Sequence, residues 1–322
     1  MWTRFNFESV GLKIVVVGAG GIGGFLGGTL AKSGEDVTVI ARGDHLQTIR
    51  EKGLTVESVS SGNFTCSVKA TEKPSDAGAA NLVLFCVKSY DTEKALQNIS
   101  PLIGEDTTVI SFQNGIDKED KIAQKVGKGH VLAGAIFIES FITQPGVIKQ
   151  TWGPLIAIGE LDGTITSRAR KIHTALTNAG LKCDLSNRIL EALWEKFLFI
   201  CPTAGICSAA RATIGEIVEF EKTSALYLAA MEEVERVARA TGISLASDIV
   251  QRTFAQAGRA DKSMKPSMLR DLERGKRLEI DALNGSVCRY GRQLSVPTPV
   301  NDFIYALLKV QDMKAARALQ NS

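Results

Sequence analysis

Hydrophobic residues follow two rhythms along this chain of 322 residues. Up to about residue 185, short apolar runs at 12–17, 36–40, 82–87 and 107–112 alternate with segments of helical period at 22–32, 91–99 and 118–126. That alternation predicts a parallel sheet with helical crossovers. Further runs at 131–138, 147–150 and 155–158, punctuated by turns at Pro145-Gly146 and Gly153-Pro154, predict antiparallel additions to the same sheet. From residue 186 onward nearly every segment has helical period: 186–204, 219–241, 246–257, 268–274, 276–294 and 298–319. The expected architecture is α/β, with a sheet domain over 12–185 and a second, all-helical domain over 186–319. No repeat and no low-complexity segment interrupts this division.

Between the first run and the first helix stands Gly18-Ala-Gly-Gly-Ile-Gly23, a GxGxxG pattern in the strand, turn and helix setting it requires. Gly18 permits the turn, Gly20 lets backbone approach a pyrophosphate, and Gly23 allows helix to pack closely on strand. Gly21 and Ile22 complete the helix start, whose positive end favours phosphate. The first domain therefore reads as a Rossmann-type dinucleotide-binding sheet. Arg42 follows the second run, close to twenty residues beyond Gly23, where an acid would bind the ribose 2′-hydroxyl of NAD. A guanidinium there suits the 2′-phosphate of NADP(H), unless Arg42 is merely a solvated strand end.

Composition narrows the remaining classes. With 44% hydrophobic and 23% charged residues the chain is ordinary for a globular protein, and a net charge of +3 without a basic, aromatic-laced run implies no nucleic-acid partner. No apolar stretch reaches membrane-spanning length, so no membrane partner is expected, and residues 1–11 read as a frayed extension rather than a signal peptide. Six cysteines, at 66, 86, 183, 201, 207 and 288, sit mostly in apolar runs and suit reduced thiols in a cytoplasmic protein. The three histidines, His45, His130 and His173, form no ligand pair, so no metal is expected. Apolar faces on the long helices are compatible with a homodimer and equally with burial inside one chain.

A few polar residues break the apolar pattern. Lys196 lies at the edge of the stripe formed by Ile189, Leu193, Phe197, Ile200 and Ala204, where its amine is either desolvated or snorkels to water. Glu279 borders the stripe of the 276–294 segment, as a solvated edge acid or as a partner in proton transfer. Ser267 reads as an N-cap whose helix start could also hold a substrate carboxylate. Lys88 and Asn114 follow carboxyl strand ends, beside the expected dinucleotide or as ordinary turn and surface residues. Ligands in such folds gather beyond carboxyl strand ends and where domains meet, so the reaction is expected in a cleft between the halves. Glu139 has no assigned role.

The set Gly18 to Gly23, Val87-Lys88, Gln113-Asn114-Gly115, Trp194-Glu195-Lys196-Phe197, Ser267 and Glu279-Ile280-Asp281-Ala282-Leu283-Asn284-Gly285 resembles the ketopantoate reductase (2-dehydropantoate 2-reductase) family over about residues 12–315. The resemblance implies NADPH-dependent reduction of a small-molecule 2-oxo acid to a 2-hydroxy acid, with Lys196 as general acid and Glu279 beside it. It further implies substrate contacts from Glu279, Ser267 and Asn114, and cofactor contacts from Lys88, Asn114 and Glu279. Pantoate-forming members carry asparagines one and two turns beyond the lysine; this chain has Ile200 and Ala204. A related NADP-dependent dehydrogenase for a different acid, and a non-catalytic NADP(H) sensor, are the alternatives.

Overall fold

Ten strands and thirteen α-helices occupy the described residues, 11–320, of the computed structural model; the expected extension at residues 1–11 lies outside them apart from Gly11. The strands are β1 (Lys13–Val17), β2 (Asp36–Ile40), β3 (Leu54–Ser58), β4 (Phe64–Cys66), β5 (Lys69–Thr71), β6 (Leu82–Phe85), β7 (Thr108–Ser111), β8 (Val131–Gln144), β9 (Val147–Gly159) and β10 (Cys183–Leu185). Among them run α1 (Gly21–Lys32), α2 (Gly43–Lys52), α3 (Pro74–Ala77), α4 (Thr92–Gln97), α5 (Lys118–Val126) and α6 (Ser167–Asn178). The remaining helices are α7 (Ile189–Ala210), α8 (Ile214–Glu219), α9 (Glu221–Ala240), α10 (Ile249–Arg259), α11 (Ser267–Glu273), α12 (Asn284–Leu294) and α13 (Pro299–Gln320).

The strands form one sheet in the order β4-β3-β9-β8-β7-β6-β1-β2-β5, with β10 on β9. From β5 to β8 every neighbouring pair is parallel. Along β1, Ile14 and Val16 join one apolar cluster and Val15 and Val17 another, so the strand is buried on both faces and reads as an unbroken apolar run. Chain order reverses at β1, which lies between β2 and β6; this is the switch point beyond which open α/β sheets bind ligands.

The antiparallel extension differs from expectation. The runs at 147–150 and 155–158 are one strand, β9, paired along β8 through the two-residue turn Pro145-Gly146. Gly153-Pro154 lies inside β9, where register shifts near Glu139 and Trp152 absorb the irregularity, so it is not a turn.

By its internal contacts the chain divides into two compact units. The first comprises residues up to Val87, Lys94–Phe112 and Ile122–Asn187; the second comprises Lys88–Glu93, Gln113–Lys121 and residues from Arg188 onward. A linear division at 185 is therefore corrected: the segments that follow β6 and β7 belong with the helices. The second unit packs around Trp194, Phe197, Tyr227, Val234, Leu283 and Val287. Its α7 continues to Ala210, past the expected end at 204, although Pro202 removes one backbone donor. The Thr203 hydroxyl next to it donates to the Phe199 carbonyl at 2.6 Å, and the Thr203 and Tyr227 hydroxyls lie 2.6 Å apart.

The expected helix over 276–294 forms only as α12, from Asn284. Residues 276–283 instead form an irregular segment and turn, with Leu278 N donating to Asp312 Oδ1 at 3.0 Å and with Ala282 N and Leu283 N donating to the Glu279 carbonyl at 3.1 Å. Glu279 is therefore not a helical residue, although Leu278, Ile280 and Leu283 beside it are buried as the apolar pattern predicts. The expected helix over 219–241 is likewise divided, because Phe220 is extended between α8 and α9. No helix among the described residues is long and apolar enough to cross a membrane.

Candidate active site

In the first unit, β1 delivers the chain into the glycine turn. Gly18 has φ 98°, and a Cβ there would stand 2.9 Å from Val87 N, so both conformation and space demand glycine. A Cβ on Gly23 would collide with the Gly18 carbonyl and approach Val16 and Cys86, which is the close helix-on-strand packing its position requires. Gly20 differs: a Cβ there meets nothing within 4 Å, so this glycine borders open space. Gly20 is also the N-cap of α1, with no side-chain cap and no acid in the first turn. Backbone donors and room for an anion coincide, and a dinucleotide pyrophosphate fits the turn. Gly21 does not face that space; a Cβ on it would strike the Ser140 carbonyl of β8, so this glycine serves packing. Ile22 packs against the core of the unit. Arg42 follows β2 as the exposed N-cap of α2.

The second unit gathers the charged candidates. Lys196 on α7 is 6% exposed, and its Nζ donates to Asn114 Oδ1 at 3.1 Å. Burial lowers its pKa to about 7, the nearby Lys118 ammonium adds to the shift, and the Glu279 and Glu119 carboxylates oppose it. The competition between burial and Glu279 is thereby decided in favour of burial. Lys118, in the first turn of α5, is buried and forms a close ion pair with buried Glu119.

Glu279, 6% exposed, is anchored by Ser89 and Lys88. The Ser89 N–H donates to Glu279 Oε1 at 2.9 Å, and Lys88 Nζ lies 3.3 Å from Oε2 and 2.9 Å from Asp271 Oδ2. Burial alone would raise the pKa of Glu279; Lys88 and the Ser89 N–H more than offset this, and the carboxyl is held below its ordinary range. For Lys88 burial pulls down, but Glu279 and Asp271 prevail and its pKa is raised. Both partners are accordingly charged near neutrality.

Ser267 stands apart from these contacts. It is the exposed first residue of α11, while Pro266 is the N-cap and no side-chain cap bond forms, so the expected capping role is corrected. Beyond Lys196 on α7, Ile200 is half-buried and Ala204 is buried. Glu139, on β8, accepts from the Thr151 hydroxyl at 2.7 Å.

Models of known families match almost the whole chain: ketopantoate reductase PanE/ApbA over residues 14–163 and ketopantoate reductase PanE/ApbA C terminal over 188–312. The chain belongs to the ketopantoate reductase family. A 2-dehydropantoate 2-reductase of Mesorhizobium japonicum is 30% identical over 320 residues, covering 92% of this chain and 97% of its own. The crystal structure of a PanE/ApbA family ketopantoate reductase from Ralstonia eutropha JMP134 superposes with a TM-score of 0.87 at 32% identity, covering 94% and 99% of the two chains. D-mandelate dehydrogenase, solved as a ternary structure with NADH and anilino(oxo)acetate, shares the fold at a TM-score of 0.85 and 24% identity, with 94% and 99% coverage. This member of the family is an oxidoreductase with a Rossmann-type first domain and a helical second.

Lys118, Glu119, Asp271 and Ser89 are not among the candidate residues read from the sequence. A signal for Lys118 existed: it lies four residues before Ile122, on the side of α5 that is buried. Its effect is measurable. Lys118→Gln removes a like charge and raises the pKa of Lys196 by on the order of one unit, read from an NMR titration of the lysine side chain. An unchanged pKa would remove Lys118 from the control of Lys196.

Proposed function

We propose that this oxidoreductase reduces a 2-oxo acid to the 2-hydroxy acid with NADPH. The leading substrate pair is 2-dehydropantoate and pantoate, which places the reaction in pantothenate and coenzyme A biosynthesis. The single observation that carries the reading is Lys196, a buried amine bonded to Asn114 with a pKa of about 7, poised to exchange a proton near neutrality.

Reduction of the C2 carbonyl takes one hydride at carbon and one proton at oxygen. NADPH, when bound, supplies the hydride. Lys196 in its ammonium form donates the proton to the carbonyl oxygen as negative charge builds there, and the neutral amine is then reprotonated from water. Asn114 accepts a hydrogen bond from Lys196 and orients it. Glu279 holds Lys88 and the Ser89 N–H in place and keeps a negative charge near Lys196. Gly18, Gly20 and Gly23 shape the pyrophosphate turn, with Lys88 and Asn114 assigned to the cofactor as well; Ser267 is assigned to the substrate carboxylate. A small 2-oxo acid is the partner.

Arg42 supports NADPH over NADH, since a guanidinium pairs with a 2′-phosphate that NADH lacks. Arg42→Ala raises the NADPH dissociation constant about tenfold and leaves that of NADH unchanged, given about 1.4 kcal/mol for an exposed charge-assisted contact. Equal changes for both cofactors would dismiss Arg42 as the discriminator.

Ile200 and Ala204 favour a second reading, a different 2-oxo acid. Neither side chain can hydrogen-bond, so hydroxyl groups on the substrate would find no partner from these positions, whereas an apolar substituent would. A screen of 2-oxo acids, following NADPH absorbance, tests both readings. Turnover highest on 2-dehydropantoate supports the first, turnover highest on an acid with an apolar side chain supports the second, and tight NADPH binding without any turnover would reject catalysis.

A further inference from the structure

His45 belongs to neither the proton-transfer residues nor the sites assigned above, yet it joins two distant parts of the first unit. Its Nδ1 lies 2.9 Å from Gly146 N at the β8–β9 turn, and its Nε2 lies 2.9 Å from the Ala19 carbonyl oxygen inside the glycine turn. A backbone N–H only donates, so Nδ1 is the acceptor; a carbonyl only accepts, so Nε2 carries the proton. The ring is thus neutral and in a single tautomer, and burial lowers its pKa below the ordinary histidine value.

We infer that His45 is a positioning residue for the dinucleotide, fixing the Ala19–Gly20 peptide so that the Gly20 N–H is directed to the ligand side of the turn. The inference rests on the reading of the glycine turn as a dinucleotide site. Ala19 N–H and Gly18 N–H both donate to the Ile40 carbonyl, at 3.1 and 3.3 Å, which pins the turn from the strand side. His45 then holds the Ala19 carbonyl from the other side. In a trans peptide the carbonyl and the following N–H point in opposite directions, so restraining the first aims the second. That N–H belongs to Gly20, the residue whose absent side chain borders open space. The far end of the bridge is also anchored, because the Gly146 carbonyl accepts from Thr55 N at 2.9 Å.

Protonation of His45 puts a second N–H on the ring, facing the Gly146 N–H donor to donor, and the bridge opens. The elements it joins bring no competing titration: residues 18–23, 39–41 and 144–147 contain no ionisable side chain. On its own helix Arg42 and Asp44 are exposed, and on β5 Lys69 is paired with Asp36 at 2.7 Å.

The test compares NADPH and NADH dissociation constants of the full chain and its His45→Gln and His45→Ala variants between about pH 5 and 8, bracketing the histidine range. A glutamine amide offers both an acceptor and a donor but does not titrate. His45→Ala is expected to bind both cofactors about tenfold more weakly at pH 7.5, the loss of about 1.4 kcal/mol of hydrogen bonding. His45→Gln is expected to restore most of that affinity, and the wild-type-to-Gln ratio of dissociation constants rises as pH falls. Taking that ratio cancels ionisation of the NADPH 2′-phosphate. A long-range proton–nitrogen spectrum of the ligand-free protein should show the Nε2–H tautomer, whatever the variants do. Unchanged binding by His45→Ala, a flat wild-type-to-Gln ratio, or the opposite tautomer would each overturn the role of His45. Failure of the wild type to bind either dinucleotide would instead overturn the site reading, and this inference with it.

Discussion

Replacing Lys196 by alanine lowers kcat for 2-oxo acid reduction by about 10²–10⁴-fold, the range expected for loss of a general acid, with dinucleotide affinity unchanged. The sign of its pH dependence follows from the charge state. Lys196 has a pKa of about 7, and only its ammonium form donates in the reductive direction. Reduction therefore falls as pH rises through about 7, while oxidation of the hydroxy acid, which needs the neutral amine, rises over the same interval. In Lys196→Ala both limbs disappear. Lys196→Arg supplies a useful contrast: a guanidinium keeps the positive charge but does not give up its proton in this range, so activity stays low and the limb near 7 is absent. Steady-state rates in both directions, with circular dichroism to verify folding, decide the matter. Wild-type kcat in the alanine variant would end the general-acid assignment.

Glu279→Gln has the second largest expected effect because one buried carboxylate serves three groups. The amide oxygen can still accept from the Ser89 N–H, but the charge that faces Lys88 is lost. Glu279 also raises the pKa of Lys196, so its neutralisation sends that pKa further below 7 by on the order of one unit. Above the pKa each such unit leaves tenfold less ammonium. With the positioning of Lys88 and Ser89 also weakened, reduction at pH 7.5 falls on the order of 10²-fold. Stability falls by about 2 kcal/mol, less than for a fully buried pair, because the Lys88 side chain is 40% exposed and keeps Asp271 as a partner. The alkaline limb must move to lower pH; movement upward, or no movement, contradicts the electrostatic account. Denaturant titration supplies the stability figure.

Near the candidate site, the legible part of the chain is local. The turn at Gly18–Gly23 could be read because strand, glycines and helix are consecutive and each glycine answers a local demand. Lys196 could be flagged because one polar residue broke a helical stripe. Glu279 was flagged for the same reason but given the wrong local structure: the apolar spacing of Ile280, Leu283 and Val287 fits a helix, while Asp312 takes the Leu278 N–H and a local turn on the Glu279 carbonyl precedes α12. Ser267 shows the converse error, since a serine after Pro266 looks like a cap but is already the first helical residue.

The sequence by itself determined the sheet-then-helix order, the continuous burial of β1, the glycine turn, and the membership of Lys196 in a mostly apolar helix, because each depends on contacts among near neighbours. Only the tertiary structure decided that residues 88–93 and 113–121 join the helical unit and bring Asn114 to Lys196 and Ser89 to Glu279. Tertiary structure also set the direction of the Lys196 shift, through burial and the ammonium of Lys118. Those outcomes depend on groups 82 and 190 residues apart in the chain, and neither desolvation nor a Coulomb interaction over such separations leaves a periodic trace in sequence.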